Sequence, residues 1–196
     1  IGMGWTVEDL SKPQILVEST FGDSHPGSAH LDQFVEEGMW AIADNGGKGA
    51  RNYVTDICDG IAQGHDGINY SLAHRNMVEI HGNATGYDGG LFIASCDKSM
   101  PAMLMGIGKL KDMSAIVVTG GVMEAHTIPA KYVEQDPSCA INELLTLEQI
   151  GKFDAQEKRG EIPKEQLDYY KQHACPSCGA CSFMGTASTM QIMAEA

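Results

Sequence analysis

The chain has 196 residues, 43% of them hydrophobic and 20% charged, enough for one domain with a substantial buried core. Thirteen basic residues against 26 acidic ones give a formal net charge of -13, which repels nucleic-acid phosphate and anionic lipid and favours a small-molecule partner. With no signal-peptide pattern and no apolar run of about 20 residues, the expected compartment is the cytoplasm; there, six cysteines point to metal or catalysis before disulfides.

In chain order, "PQILVEST" (13–20) reads as a short buried strand. "HLDQFVEEGMWAIADNGG" (30–47) reads as a helix, with Leu31, Phe34, Val35, Gly38, Met39 and Ile42 on one face and Gly46 and Gly47 as the stop. "RNYVTDICDG" (51–60) is a strand running into a turn, and "NYSLAHRNMVEIHG" (69–82) a helix. "GGLFIASCDK" (89–98) is a third strand, "MPAMLMGIGKL" (100–110) a helix with Pro101 in its first turn, and "SAIVVTGG" (114–121) a strand apolar enough for a sheet covered on both faces. The charged stretch 145–171 reads as helices on a solvated face, broken at Pro163. Strands alternating with helices predict an α/β fold, a parallel sheet with crossover helices on both faces. The start at Ile1 and the close on an uncapped amphipathic stretch suggest a piece of a longer protein.

Open parallel sheets bind ligands beyond the carboxyl ends of their strands. Cys58-Asp59-Gly60 and Cys96-Asp97-Lys98 both fall there, bringing two soft thiolates suited to iron and two hard carboxylates suited to magnesium. Lys98, beside Asp97, is either a solvated charge or a working group at the strand mouth. Cys175, Cys178 and Cys181 form a C-x2-C-x2-C run, compatible by spacing with an iron–sulfur cluster, a zinc site or structural thiols. "GKGARN" and "GHDGIN" read as turns, since neither matches a phosphate-binding glycine motif. Of the seven histidines, His30 and His65 are kept as substrate-contact candidates.

"GDSHPGSAHL", "CDGIAQGHDGINYSLAHRN", "ASCDKSMPAMLMGIGKL", "VVTGGVMEA" and "ACPSCGACSFMGTASTM", in this order and spacing, resemble successive blocks of the dihydroxy-acid dehydratase and phosphogluconate dehydratase family. The resemblance runs from about Gly2 to the last residue and implies the amino-terminal domain of a two-domain hydro-lyase. Such an enzyme uses an iron–sulfur cluster and Mg2+ to convert a 2,3-dihydroxy acid to a 2-keto acid. It implies Cys96 and Cys181 as cluster ligands, and Asp59, Asp97 and a carbamylated Lys98 as magnesium ligands. Two-iron members carry a cysteine where this chain has Gly27, so Cys58 becomes the candidate third ligand, and the cluster is [2Fe-2S] or [4Fe-4S]. Family members are roughly three times longer, and a magnesium glutamate and the serine base lie in the later part. No catalytic base is therefore expected within these residues, and the chain alone is expected to be inactive. The resemblance also implies a homodimer or larger homo-oligomer. Branched-chain biosynthesis is the favoured role, a phosphogluconate or aldonate dehydratase the alternative, and a non-catalytic metal-binding module the reading from another class.

Overall fold

The computed structural model describes residues 1–65, 73–134, 144–182 and 184–196. After a single 3-10 turn at Asp9–Ser11, the apolar run following Pro13 becomes β1 (Gln14–Ser19), the helix-period stretch α1 (Leu31–Asp44), and the next segment β2 (Lys48–Tyr53). A short α2 (Asp59–Ala62) and α3 (Arg75–Ala84) lead to β3 (Gly89–Ala94), α4 (Ser99–Ile107) and β4 (Ser114–Thr119). All four strands are parallel, in the order β2-β1-β3-β4, with Val17 opposite both Arg51 and Leu91, and Leu91 opposite Ile116. The fold is therefore the expected α/β sheet with helices on both faces.

Period-two alternation assigns the two cores. Leu16, Phe92 and Ala94 point to one face, against Val78 of α3, Met100 and Met103 of α4, and Met190 and Ala194 of α8 (Thr186–Glu195). Val17 and Ile93 point to the other, against Leu31 and Val35 of α1, with Met39 and Ile42 packed alongside.

Several boundaries differ from expectation. The second strand is 48–53 rather than 51–60, so "GKGARN" is largely strand, not turn. Its pairing with β1, opened by the Lys48 amide donating to the Pro13 carbonyl, imposes the strand on residues that show no apolar alternation. Phe34 and Trp40 lie outside the buried stripe of α1. β4 is an edge strand whose Ile116 is 67% exposed, because the α1 layer stops short of it. The helix expected over 69–82 begins, within the described residues, at Arg75; positions 69–72 lie outside them.

The charged stretch is not merely a solvated face. β5 (His126–Thr127), α5 (Ala130–Val133), β6 (Leu144–Leu145), α6 (Ile150–Lys158) and α7 (Lys164–His173) enclose a third core of Ile128, Tyr132, Leu145, Phe153, Leu167 and Tyr170. Pro163 caps α7, as its position implied. Among the described residues no helix is long and apolar enough to cross a membrane.

Candidate metal centre

Both Cys-Asp pairs lie beyond the carboxyl edge of the sheet, where strand backbones end and polar groups leave the core. Cys96 follows β3 directly, and its amide donates to Ser99 Oγ at 2.8 Å, bending the chain into α4 with Asp97 and Lys98 at the turn. Cys58 lies farther out, past Tyr53, at the start of α2. β1 separates β2 from β3, so the two pairs do not follow adjacent strands. The loop of residues 54–58 between β2 and α2 nevertheless carries Cys58 across to Cys96.

The two thiols face each other. The Cys96 S–H toward Cys58, together with burial and the nearby carboxylates, holds the Cys96 proton on, while that hydrogen bond pulls the Cys58 thiol down to about 5. Beside them Lys98 Nζ lies 3.1 Å from Asp59 Oδ2. Burial, with the Asp59 carboxylate next to it, pushes Asp97 up to about 7. Burial opposes Asp59 as well, but hydrogen bonds from Asp97 and Lys98 hold it below its ordinary range. One carboxyl held above its ordinary range and the other held below it beside a lysine cation is the arrangement two crowded carboxylates adopt without a stronger charge.

Cys181 arrives from the far end of the chain on a clamped loop. The Gly179 amide donates to the Pro26 carbonyl at 2.9 Å, and the Ala180 amide to the Gly121 carbonyl at 3.1 Å. Gly179 has φ +119°, and a Cβ there would meet the Val122 and Met123 backbone, so only glycine fits. Burial raises the Cys181 thiol, and the charges of Glu148, Cys58 and Asp97 reach it and raise it further. Gln191 of α8 ties the floor together: its amide nitrogen donates to the Ser95 carbonyl at 2.9 Å, and its oxygen accepts from the Gly121 amide at 2.8 Å.

Sequence reasoning overlooked His25, Asp56 and Gln191. His25 is buried, with Nε2 3.4 Å from Asp56 Oδ2 and the Gly27 amide donating to Nδ1 at 3.1 Å. Burial pulls His25 down, but Asp56 and the Cys58 and Asp97 charges more than offset it. The departure at Gly27 was the available signal: a Cβ on Gly27 would lie 2.9 Å from His25 Nδ1 and 3.3 Å from Cys96 Sγ. Position 27, where the resemblance leads one to expect a cysteine, therefore faces Cys96. His65 lies on the rim of a cavity of about 330 Å³ that also contains His25, Asp56, Cys58 and Ile61, adjoining the thiols. His30 is differently engaged, its Nε2 2.7 Å from the Gly120 carbonyl, where it ties α1 to the end of β4. Larger hollows beside β2 and α3, about 630 and 820 Å³, contain no thiol.

Among the described residues, no three His, Cys, Asp or Glu side chains already form a closed metal-binding group. The donor set still fits the implied cofactors. Thiols and carboxylates lie side by side, with Cys96 Sγ 3.5 Å from Asp97 Oδ1, and Asp59 Oδ1 is buried without a hydrogen-bond partner, an oxygen left for a cation.

A model of the dihydroxy-acid/6-phosphogluconate dehydratase amino-terminal domain matches residues 12–196. The chain belongs to this family. It is 36% identical to the dihydroxy-acid dehydratase of Ruminiclostridium cellulolyticum over 98% of its own length and 33% of the relative's. It is 35% identical to that of Pyrococcus abyssi (99% and 34%) and 37% identical to that of Caldanaerobacter subterraneus subsp. tengcongensis (99% and 33%). The chain thus spans about a third of the length of the curated relatives it matches.

Proposed function

We propose that this chain supplies the cofactor-binding part of a hydro-lyase that converts a 2,3-dihydroxy acid to a 2-keto acid. The observation that carries this reading is the meeting of Cys58 and Cys96 beside the Asp59–Asp97–Lys98 cluster at one edge of a parallel sheet. Cys96, Cys181 and Cys58 would hold an iron–sulfur cluster. Asp59, Asp97 and Lys98, the last as a carbamate, would hold Mg2+. When bound, these cofactors supply Lewis acidity for a departing hydroxyl and for charge developing on the substrate's carboxylate and C2 oxygen.

The chain's own groups prepare that chemistry. With Cys96, Cys181 and Cys58 as its only protein sulfurs, a bound cluster, two-iron or four-iron, would have Lewis acidity to offer the substrate. As a ligand to a dication Asp97 would give its proton to solvent, and the cation's charge would stand in for the one Lys98 now supplies to Asp59. Lys98 would then be free to lose its proton to solvent, the condition for carbamylation by carbon dioxide. His65 and the cavity beside Cys58 give a small acid its approach, which matters because a chain of net charge -13 does not attract an anion.

The names of the relatives favour a dihydroxy acid of branched-chain amino-acid biosynthesis over a sugar acid. Anaerobic reconstitution of the chain, with iron and sulfide counting, tests the ligand set. Cys96→Ser and Cys181→Ser are each expected to bring iron to background, since a serine hydroxyl is a harder, weaker ligand. Cys139→Ser, at a position outside the described residues, is expected to leave it unchanged. Normal iron in Cys96→Ser would end this reading. In the intact parent polypeptide, keto-acid formation from 2,3-dihydroxyisovalerate rather than 6-phosphogluconate or xylonate is the expected substrate result; the reverse preference would assign the sugar-acid branch.

A further inference from the structure

The proposed ligand set uses Cys181 and leaves Cys175 and Cys178 without a role, although both lie on the same clamped loop. Their exposures form a gradient: Cys178 is exposed, Cys175 and Cys58 are half-buried, and Cys96 is buried. Backbone bonds fix that gradient in place. The Glu124 amide donates to Ser177 Oγ at 2.8 Å, and the Gly179 amide donates to the carbonyl of Pro26. The next residue, Gly27, is the one whose Cβ would touch Cys96 Sγ. The two ends of that clamp lie one residue from Cys178 and one residue from Gly27, so the loop carrying the outer thiols is stitched to the segment beside Cys96. The outer thiols thus stand on the solvent side of that segment.

We propose that Cys175 and Cys178 form a capture site that takes a preassembled, thiolate-carried iron–sulfur cluster from solution and passes it inward to Cys58, Cys96 and Cys181. The proposal rests on the cluster reading above. The chemistry is ligand exchange without electron transfer. Cys178 and Cys175 form sulfur–iron bonds as two donor thiolates leave, and the protons lost by the cysteines go to those departing thiolates. Two inner cysteines then displace Cys175 and Cys178 and the third displaces one more carrier thiolate, and the protons the inner thiols give up go to Cys175, Cys178 and that departing thiolate. The two outer thiols raise the local concentration of the incoming group beside its final ligands, an effect that in linked systems reaches 10²- to 10⁴-fold.

The test uses the 196-residue chain, mixed anaerobically with a synthetic four-iron cluster ligated by a small thiolate. Transfer is followed by the sulfur-to-iron charge-transfer absorption, and bound iron is counted at equilibrium. Cys175→Ala/Cys178→Ser is expected to slow transfer by at least roughly tenfold, with unchanged iron at equilibrium. Cys178→Ser alone, at an exposed position with no packing to lose, is expected to slow it severalfold and keeps the test valid if the double variant folds poorly. Rates equal to the parent in Cys178→Ser overturn the proposal. A fall in equilibrium iron in step with the rate also overturns it, because the pair would then be permanent ligands. Unchanged equilibrium iron in Cys96→Ser instead overturns the underlying cluster reading.

Discussion

Glu18 is fully buried in the middle of the sheet, and both of its carboxylate oxygens lie 2.9 Å from His81 Nδ1 on α3. Burial pushes its carboxyl above the ordinary 4.5, and the His81 contact only partly offsets that. The folded state therefore binds more protons than the unfolded state above pH 4.5, and stability falls as pH rises through the window that opens there. Glu18→Gln retains an oxygen that accepts from His81 but cannot ionise. We expect urea denaturation of this variant to show a shallower loss of stability as pH rises above 4.5 and a higher midpoint at the upper end. An unchanged slope would mean that Glu18 is ionised and satisfied in the fold. Residues of this kind are poorly legible in sequence. A glutamate in an apolar strand, or a histidine before Pro26, carries no periodic signal, and what gives each its character is a partner from a distant segment. The Cys-Asp pairs were legible because thiol and carboxylate directly follow apolar strands or the loops beyond them.

At the scale of elements, periodicity located β1, α1, β3, α4 and β4, whose apolar residues repeat with the period of the structure they form. It failed for β2, where Lys48, Gly49, Arg51 and Asn52 offer no alternation and pairing with β1 makes the strand. It also hid the third core, because α6 and α7 bury few residues each and expose the rest. The packing of α3 on α4 depends on glycine. A Cβ at Gly106 would lie 2.7 Å from Val78 Cβ and 3.2 Å from the Arg75 carbonyl, neither of which is the free end of a flexible chain. Gly106→Ala gains helix propensity of about 1 kcal/mol but forces the two helices apart, and overpacking costs about 1–3 kcal/mol. We expect a net loss, with the midpoint of thermal unfolding lowered by several degrees at about 2–4 °C per kcal/mol. A higher midpoint would show that the helices separate freely at this contact.

For the molecule as a whole, charge and apolar exposure act in opposite directions. Copies carrying a net charge of -13 repel one another, yet the β4 side presents what association requires. Its edge strand, Ser-Ala-Ile-Val-Val-Thr, has neither charge nor proline to blunt pairing, and Ile116 is 67% exposed upon it. Nearby, Val122, Met184 and Ile192 line an open, largely apolar hollow of about 470 Å³, each more than half exposed. Salt decides between these tendencies: at about 0.01 M the Debye length is about 30 Å and repulsion acts across the molecule, whereas at about 0.15 M it falls to about 8 Å. We therefore expect sedimentation velocity to find a single copy at low salt and concentration-dependent association at higher salt. Ile116→Lys places a charge on the open strand and is expected to suppress that association without lowering the thermal midpoint, since the side chain it replaces packs little. If the variant and the parent associate alike at high salt, the β4 edge is not the contact, and the hollow at α8 is the surface to alter next.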